Sequence, residues 1–251
     1  MKNTIAVVVA SGLAATASAD VVGGVSGVSY AGQVTLGDVS NPIAGGAAPV
    51  TRYSNVEFDN FSGSGFAHGA DTAWDDLNLV SGGNIIDSFD FTVANLGDAT
   101  LSAVDVVVSF SDDPAGDGPD AGDNRLDLDF GTLDLVDLLG GGGLGSLSSV
   151  ILNTGDIGPG FELPEDPAGF TWMGVTFTNA VGVDNADVGQ AHYDPPTIGS
   201  SEDQFFLDDF GLASLQGDTV ANFGNSLSTV PAPGALALLG LGGLTAARRR
   251  R

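Results

Sequence analysis

The sequence predicts an all-β protein, one antiparallel β-sandwich or jelly-roll-like domain set between two short hydrophobic termini. Three observations carry this. Apolar residues recur with period two in several short segments, 38 glycines punctuate the 251 residues, and no stretch of the body holds the 3.6-residue apolar period of a long helix. Many short strands joined by glycine-rich turns bury their apolar faces best in two packed layers.

The elements follow in order. Residues 51–58 form the first candidate strand of the body. In residues 88–94, Phe89, Phe91 and Val93 share one face. In residues 102–110, Val104, Val106, Val108 and Phe110 share a face, with Asp105 and Ser109 opposite. The connector between these two segments is rich in turn residues, so they read as an antiparallel hairpin. Leu126, Leu128 and Phe130 alternate with Asp127 and Asp129 in a further strand. Residues 132–139 read either as a turn of helix stopped by the glycines at 140–143 or as an edge strand. Residues 171–178 and 204–207 are the last clear strands of the body. Residues 211–230 lose pattern and read as one more strand and a spacer, which divides the chain into a leader (1–19), a sandwich (20–220), a spacer (221–229) and a tail (230–251). No fixed-period repeat points to a solenoid or propeller.

Charge excludes several classes of function. All 32 acidic residues lie in residues 20–230 against two basic ones there, Arg52 and Arg125, which leaves the body near −30. Nothing in it would neutralise phosphates, so nucleic acid is not an expected partner. Anionic polysaccharide and anionic lipid are repelled unless divalent cations bridge them. There is no cysteine, so thiol nucleophiles, disulfides and thiolate zinc sites are all absent and the core alone must hold the fold.

Both termini read as addresses. Lys2, an apolar run over residues 5–15 and the small-residue pattern Ala17-Ser18-Ala19 fit a secretory signal peptide cleaved to leave Asp20 first. At the other end stand Val230, Pro231, Ala232, Pro233, an apolar segment over 234–247, and Arg248, Arg249, Arg250 and Arg251. Those 14 apolar or small residues span about 21 Å as a helix, short of the roughly 30 Å of a hydrocarbon core unless flanking residues extend it. Four arginines resist translocation and hold that end on the cytoplasmic side.

Proline motif, hydrophobic helix and arginine cluster, in that order, resemble a PEP-CTERM sorting signal. Ala232 stands where the family's name-giving pattern has glutamate, the Pro-Ala-Pro form similar to that of planctomycete-type bacteria. The resemblance implies export through the secretion machinery and processing by a membrane protease of the exosortase type. Tyr53-Ser54-Asn55-Val56, the Phe61–Phe66 and Ala73–Leu79 segments, Pro195–Ser201 and Phe205-Phe206 are similar to exported proteins of the same group, which look like single β-sandwiches without assigned activity.

Candidate sites are few. Asp112, Asp113, Asp117, Asp120 and Asp123 crowd a glycine and proline loop whose oxygens suit calcium; the same pattern also serves as a solvated acidic turn. It is no EF-hand, because Ala115 and Asn124 occupy positions where that loop needs an oxygen ligand and a bidentate glutamate. The pairs Asp75-Asp76 and Asp208-Asp209 read as surface features at strand ends, able together to complete a second calcium position. Glu162 and Glu165 sit among prolines, away from any rigid strand on which a carboxylate pair would work. His68 and His192 have no G-x-S-x-G elbow to serve. Trp172 reads as core, while Tyr193, beside Asp194-Pro195-Pro196, reads as exposed and as the ligand-stacking candidate.

These readings converge on an exported, non-enzymatic protein of the cell envelope, outer surface or extracellular matrix, held at the membrane by its tail before processing. The alternative is a calcium-assisted carbohydrate-binding sandwich whose partner is extracellular polysaccharide.

Overall fold

Alternation in the sequence becomes two facing sheets. The structure, a computed structural model, describes residues 4–6, 28–35, 48–57, 61–112, 124–138, 147–154, 161–202, 205–207, 211–213 and 222–230. These form strands β1 (Thr4–Ala6), β2 (Val28–Thr35), β3 (Val50–Ser54), β4 (Phe61–Ala67), β5 (Ala73–Asn78), β6 (Ile85–Asn95) and β7 (Leu101–Ser111). They continue with β8 (Arg125–Leu138), β9 (Leu147–Asn153), β10 (Phe170–Val181), β11 (Val188–Tyr193), β12 (Phe205–Leu207), β13 (Gly211–Ala213) and β14 (Asn225–Val230). One sheet runs β1-β8-β7-β10-β5-β12-β13; the other runs β2-β9-β6-β11-β4, with β14 inserted between β6 and β3. Pairing is antiparallel except for β1 on β8 and β2 on β9.

The core lies between the sheets. Phe89, Phe91 and Val93 of β6 meet Val104, Val106, Val108 and Phe110 of β7 in one buried cluster that also takes in Leu128, Phe130, Met173, Val175 and Phe177. The Phe89 ring stands edge-on to Phe110 and Phe130, with centroids 5.4 and 5.9 Å apart, a favourable aromatic geometry.

That placement corrects the hairpin expected of β6 and β7. The two strands belong to opposite sheets and stack face to face. Matching apolar rows satisfy either arrangement, because the period specifies which face is buried and is silent on lateral neighbours. The connector is therefore an arch between layers. Asn95 shapes it by donating from Nδ2 to the Ala99 carbonyl (2.8 Å) and accepting from Gly97 N (3.0 Å). Residues 132–138 complete β8, which resolves that segment as strand. A bulge bends β8 at Gly131, whose φ of 62° is the left-handed region that glycine enters without strain.

The spacer expected over 221–229 is also corrected. Asn225–Val230 is β14, a central strand hydrogen-bonded to β3 on one side and β6 on the other. Its small polar residues obscure the pattern, yet Leu227 is fully buried and Val230 nearly so. Among the described residues no helix is long and apolar enough to cross a membrane. The signal peptide beyond Thr4–Ala6 and the apolar run 234–247 lie outside the described residues.

Candidate functional site

The second sheet branches. On one edge β6 pairs with β9 throughout residues 90–95; on the other it pairs with β14 over residues 85–91 and with β11 at 94–95. Where β11 gives way to β14, backbone groups lose ladder partners, and buried ones must find others. Side chains supply them. Ala191 N donates to Thr92 Oγ1 (3.1 Å), and Asn225 N donates to Asn55 Oδ1 (2.8 Å). Asn55 Nδ2 reaches the carbonyls of Phe223 (2.8 Å) and Tyr193 (3.2 Å). Gly224 is required here: a Cβ on it would fall 2.6 Å from both Thr92 Cγ2 and the Tyr193 ring.

Across the interlayer space, β5 contributes Asp75. The alternation Ala73, Asp75, Leu77 puts this carboxylate on the inward row, and it is 0% exposed. Its Oδ2 accepts from Phe223 N (3.0 Å) and Asn225 Nδ2 (3.1 Å), so an acid of the first sheet holds the root of β14 in the second. Asp76, 4% exposed, accepts through Oδ2 from Glu202 N (2.9 Å). The expectation that Asp75-Asp76 is a surface feature is thereby corrected. Adjacent strand residues normally point to opposite faces, but the chain at 200–202 wraps beside β5 and covers the second acid too.

Ser201 joins the pair. Its Oγ lies 3.3 Å from Asp75 Oδ1, 3.1 Å from Asp76 Oδ1, 2.9 Å from Asn222 Oδ1 and 3.1 Å from the Glu202 carbonyl. A hydroxyl has one proton to donate, so four acceptors around it leave an excess of lone pairs. A proton held by the acids relieves that excess. Burial, and then the charge of Asp76, push Asp75 well above the ordinary carboxylate range; burial raises Asp76 to about 7 against the opposing pull of the Glu202 and Ser201 donors. Burial and the nearby Asp75 also raise the Tyr53 phenol. Burial therefore favours a protonated form of the pair, which hydrogen-bonds within the core. Among the described residues no group of three or more His, Asp or Glu is placed to hold a metal ion.

The remaining candidates fall elsewhere. Tyr193 is 1% exposed and packs with Ala94, Ile151 and Ala191, so the expected exposed stacking face is corrected to a buried one. The segment 222–224 that leads into β14 closes over that end of β11, a long-range contact that a local reading of Asp194-Pro195-Pro196 does not contain. Trp74 and Trp172 are buried together with Phe206, and the Arg125 guanidinium lies 4.7 Å from the Trp74 ring centre. His68 and His192 flank Phe223, at 6.2 and 5.4 Å between ring centres, and burial lowers both to about 4. They are neutral core residues at physiological pH.

Glu165 is bound bidentately by Arg52, whose guanidinium also donates to the carbonyls of Val80 (2.7 Å) and Gly83 (2.9 Å). Glu162 accepts from Asn84 (2.8 Å), and the two glutamates border a shallow cavity of about 250 Å³ with Asn84, Asn124 and Leu163. Of the expected calcium residues, Asp112 pairs with Asn124 at the neck of its loop, while Asp113, Asp117, Asp120 and Asp123 lie outside the described residues. So do Asp208-Asp209, Ala17, Ala19, Asp20, Pro231, Ala232, Pro233 and Arg248 to Arg251. Val230 ends β14. Asn55, Ser201, Asn222 and Asn225 carry no local signal of their role; the one legible sign was an aspartate on the inward row of β5.

Set against family models, curated proteins and solved structures, the chain has no match.

Proposed function

We propose that this is an exported, non-catalytic protein of the cell surface or extracellular matrix, a β-sandwich sorted by its C-terminal signal and processed by an exosortase-type protease. The observation that carries the reading is the order of Pro231-Ala232-Pro233, the apolar segment 234–247 and the four arginines, which begins on the residue after β14. The body's buried polar groups support a structural role. Asp75, Asn55 and Asn225 are occupied in tying β14 to both sheets, Asp76 holds the backbone at Glu202, and a carboxylate sealed from solvent meets no substrate. The alternative, a calcium-assisted carbohydrate-binding module, loses the stacking face of Tyr193.

Intact mass measurement of the protein recovered from the cell envelope tests the proposal. A body that begins at Asp20 and lacks the arginine cluster is the expected result. A chain that still carries residues 1–19, or one retaining Arg251, would overturn export with processing. Turnover of a glycan that vanishes on substituting one carboxylate would overturn the non-catalytic reading.

A further inference from the structure

Resting on that processing reading, we propose that β14 is a stop that sets where the tail is cut: the broken bond lies on the carboxyl side of Val230, and the body is processed while folded. Proteases bind several residues in extended form with free backbone groups, so a segment already in a sheet must first open. β14 is locked on both edges. Thr229 is in register with Val50 of β3 and with Ile86 of β6, and Val230 with Ile85. Thr229 is fully buried and Val230 is 5% exposed, although both stand at the end of a strand. The strand's other end is held by Asn55 and Asp75 through Asn225. Opening Val230 therefore breaks its pairing with β6 and uncovers a buried valine, and opening Thr229 breaks two ladders together. Pro231 has no N–H with which to extend a ladder, so the sheet's last donor on this strand belongs to Val230.

The chemistry of such a cut is hydrolysis of one peptide bond. The C–N bond breaks, water supplies hydroxyl to the new carboxyl of the body, and a proton goes to the new amine of the departing tail. The product keeps all of β14, with Leu227 in the core. A cut inside residues 225–230 would instead remove part of a central strand.

The test is limited digestion of the full chain, purified in detergent, with a broad-specificity protease, read as the C-terminal residue of the surviving body. Native protein is expected to resist at Val230 or a residue or two beyond, while the same digestion in urea cuts within 225–230. Cleavage of native protein inside 225–230 at the rate seen in urea would overturn the proposal. A second chain with Gly-Ser-Gly-Ser inserted between Val230 and Pro231 keeps the strand and displaces the motif. Its protected limit is expected to remain at Val230; a limit that moves with the motif would also overturn it. In cells, a mature C-terminus at Thr229 or earlier contradicts the stop. A mature chain still ending at Arg251 removes the processing reading, and the digestion then still decides whether β14 protects its own backbone.

Discussion

Asp75 and Asp76 differ in what they would leave behind. Asp75→Ala strips the acceptor from Phe223 N and Asn225 Nδ2, both buried, and is expected to cost about 2–4 kcal/mol of unfolding free energy in urea titrations. Asp75→Asn keeps an acceptor oxygen for both donors, so it should lose less than half as much. Asp76 bears on pH. Its folded value is near 7 and its unfolded value near 3.8, so the native state binds the proton more tightly. The contribution is full below the unfolded value and is lost as pH rises through 7. Asp76→Asn should flatten the fall in stability between pH 5 and pH 8, measured by the same titrations; an unchanged slope would show that Asp76 does not hold the proton. The sequence reading placed this pair on the surface. Ala73, Asp75 and Leu77 do alternate in the chain, but the partners that make the buried acid tolerable are 126 to 150 residues away.

Two elements draw their stability from contacts that pattern does not contain. The loop at 161–170 is held by Arg52, which spends its guanidinium on Glu165 and on the carbonyls of Val80 and Gly83. Arg52→Ala should destabilise the fold by about 3–5 kcal/mol, because a half-buried carboxylate and two carbonyls lose their donor. Arg52→Lys should recover little of it, since one ammonium cannot span that fork. Thermal melts of the three proteins rank them. β14 is the second case. A chain ended after Gly224 lacks the strand between β3 and β6 and leaves both with open edges, whereas one ended after Val230 keeps the sheet. The first should show no cooperative melt and the second a melt like that of the full body. The strands legible in advance were β6, β7 and β8, with strong alternation, and β3, β10 and β12, each bounded by turn residues. β14 was missed because Ser226, Ser228 and Thr229 fill its polar positions and its burial comes from two neighbouring strands. The β6–β7 hairpin failed for the complementary reason, since two apolar rows that match edge to edge match equally well face to face.

At the scale of the molecule, composition foretold the two-layer all-β architecture, and long-range pairing decided everything that makes it specific. The body's two cations are both committed, Arg52 to Glu165 and Arg125 to Asp127 at 2.7 Å, so the surface acids face one another with only counterions between them. Repulsion among exposed charges is screened over about 8–10 Å at physiological salt and over about 3 Å near 1 M. Raising sodium chloride from about 0.05 to 1 M should therefore increase the melting temperature steadily, with the change largest at the low end. Acid should act in two opposed ways. Lowering pH from 8 returns a proton to Asp76 and reduces the net charge, both stabilising. Below 6.5 the histidines oppose the gain from Asp75 and Asp76: His68 and His192 are held neutral to about 4 in the fold but charge near 6.5 once unfolded, so their part of the stability is lost as pH falls between those values. Melting temperature against pH should stop rising near 6.5, which gives a broad peak below 7. His68→Phe, which suits the company of Phe66, Phe177 and Phe223, should move that peak toward acid. A peak that stays in place would mean that the acid limb belongs to the carboxylates, and that the buried histidines play no part in setting the range over which this sandwich stays closed.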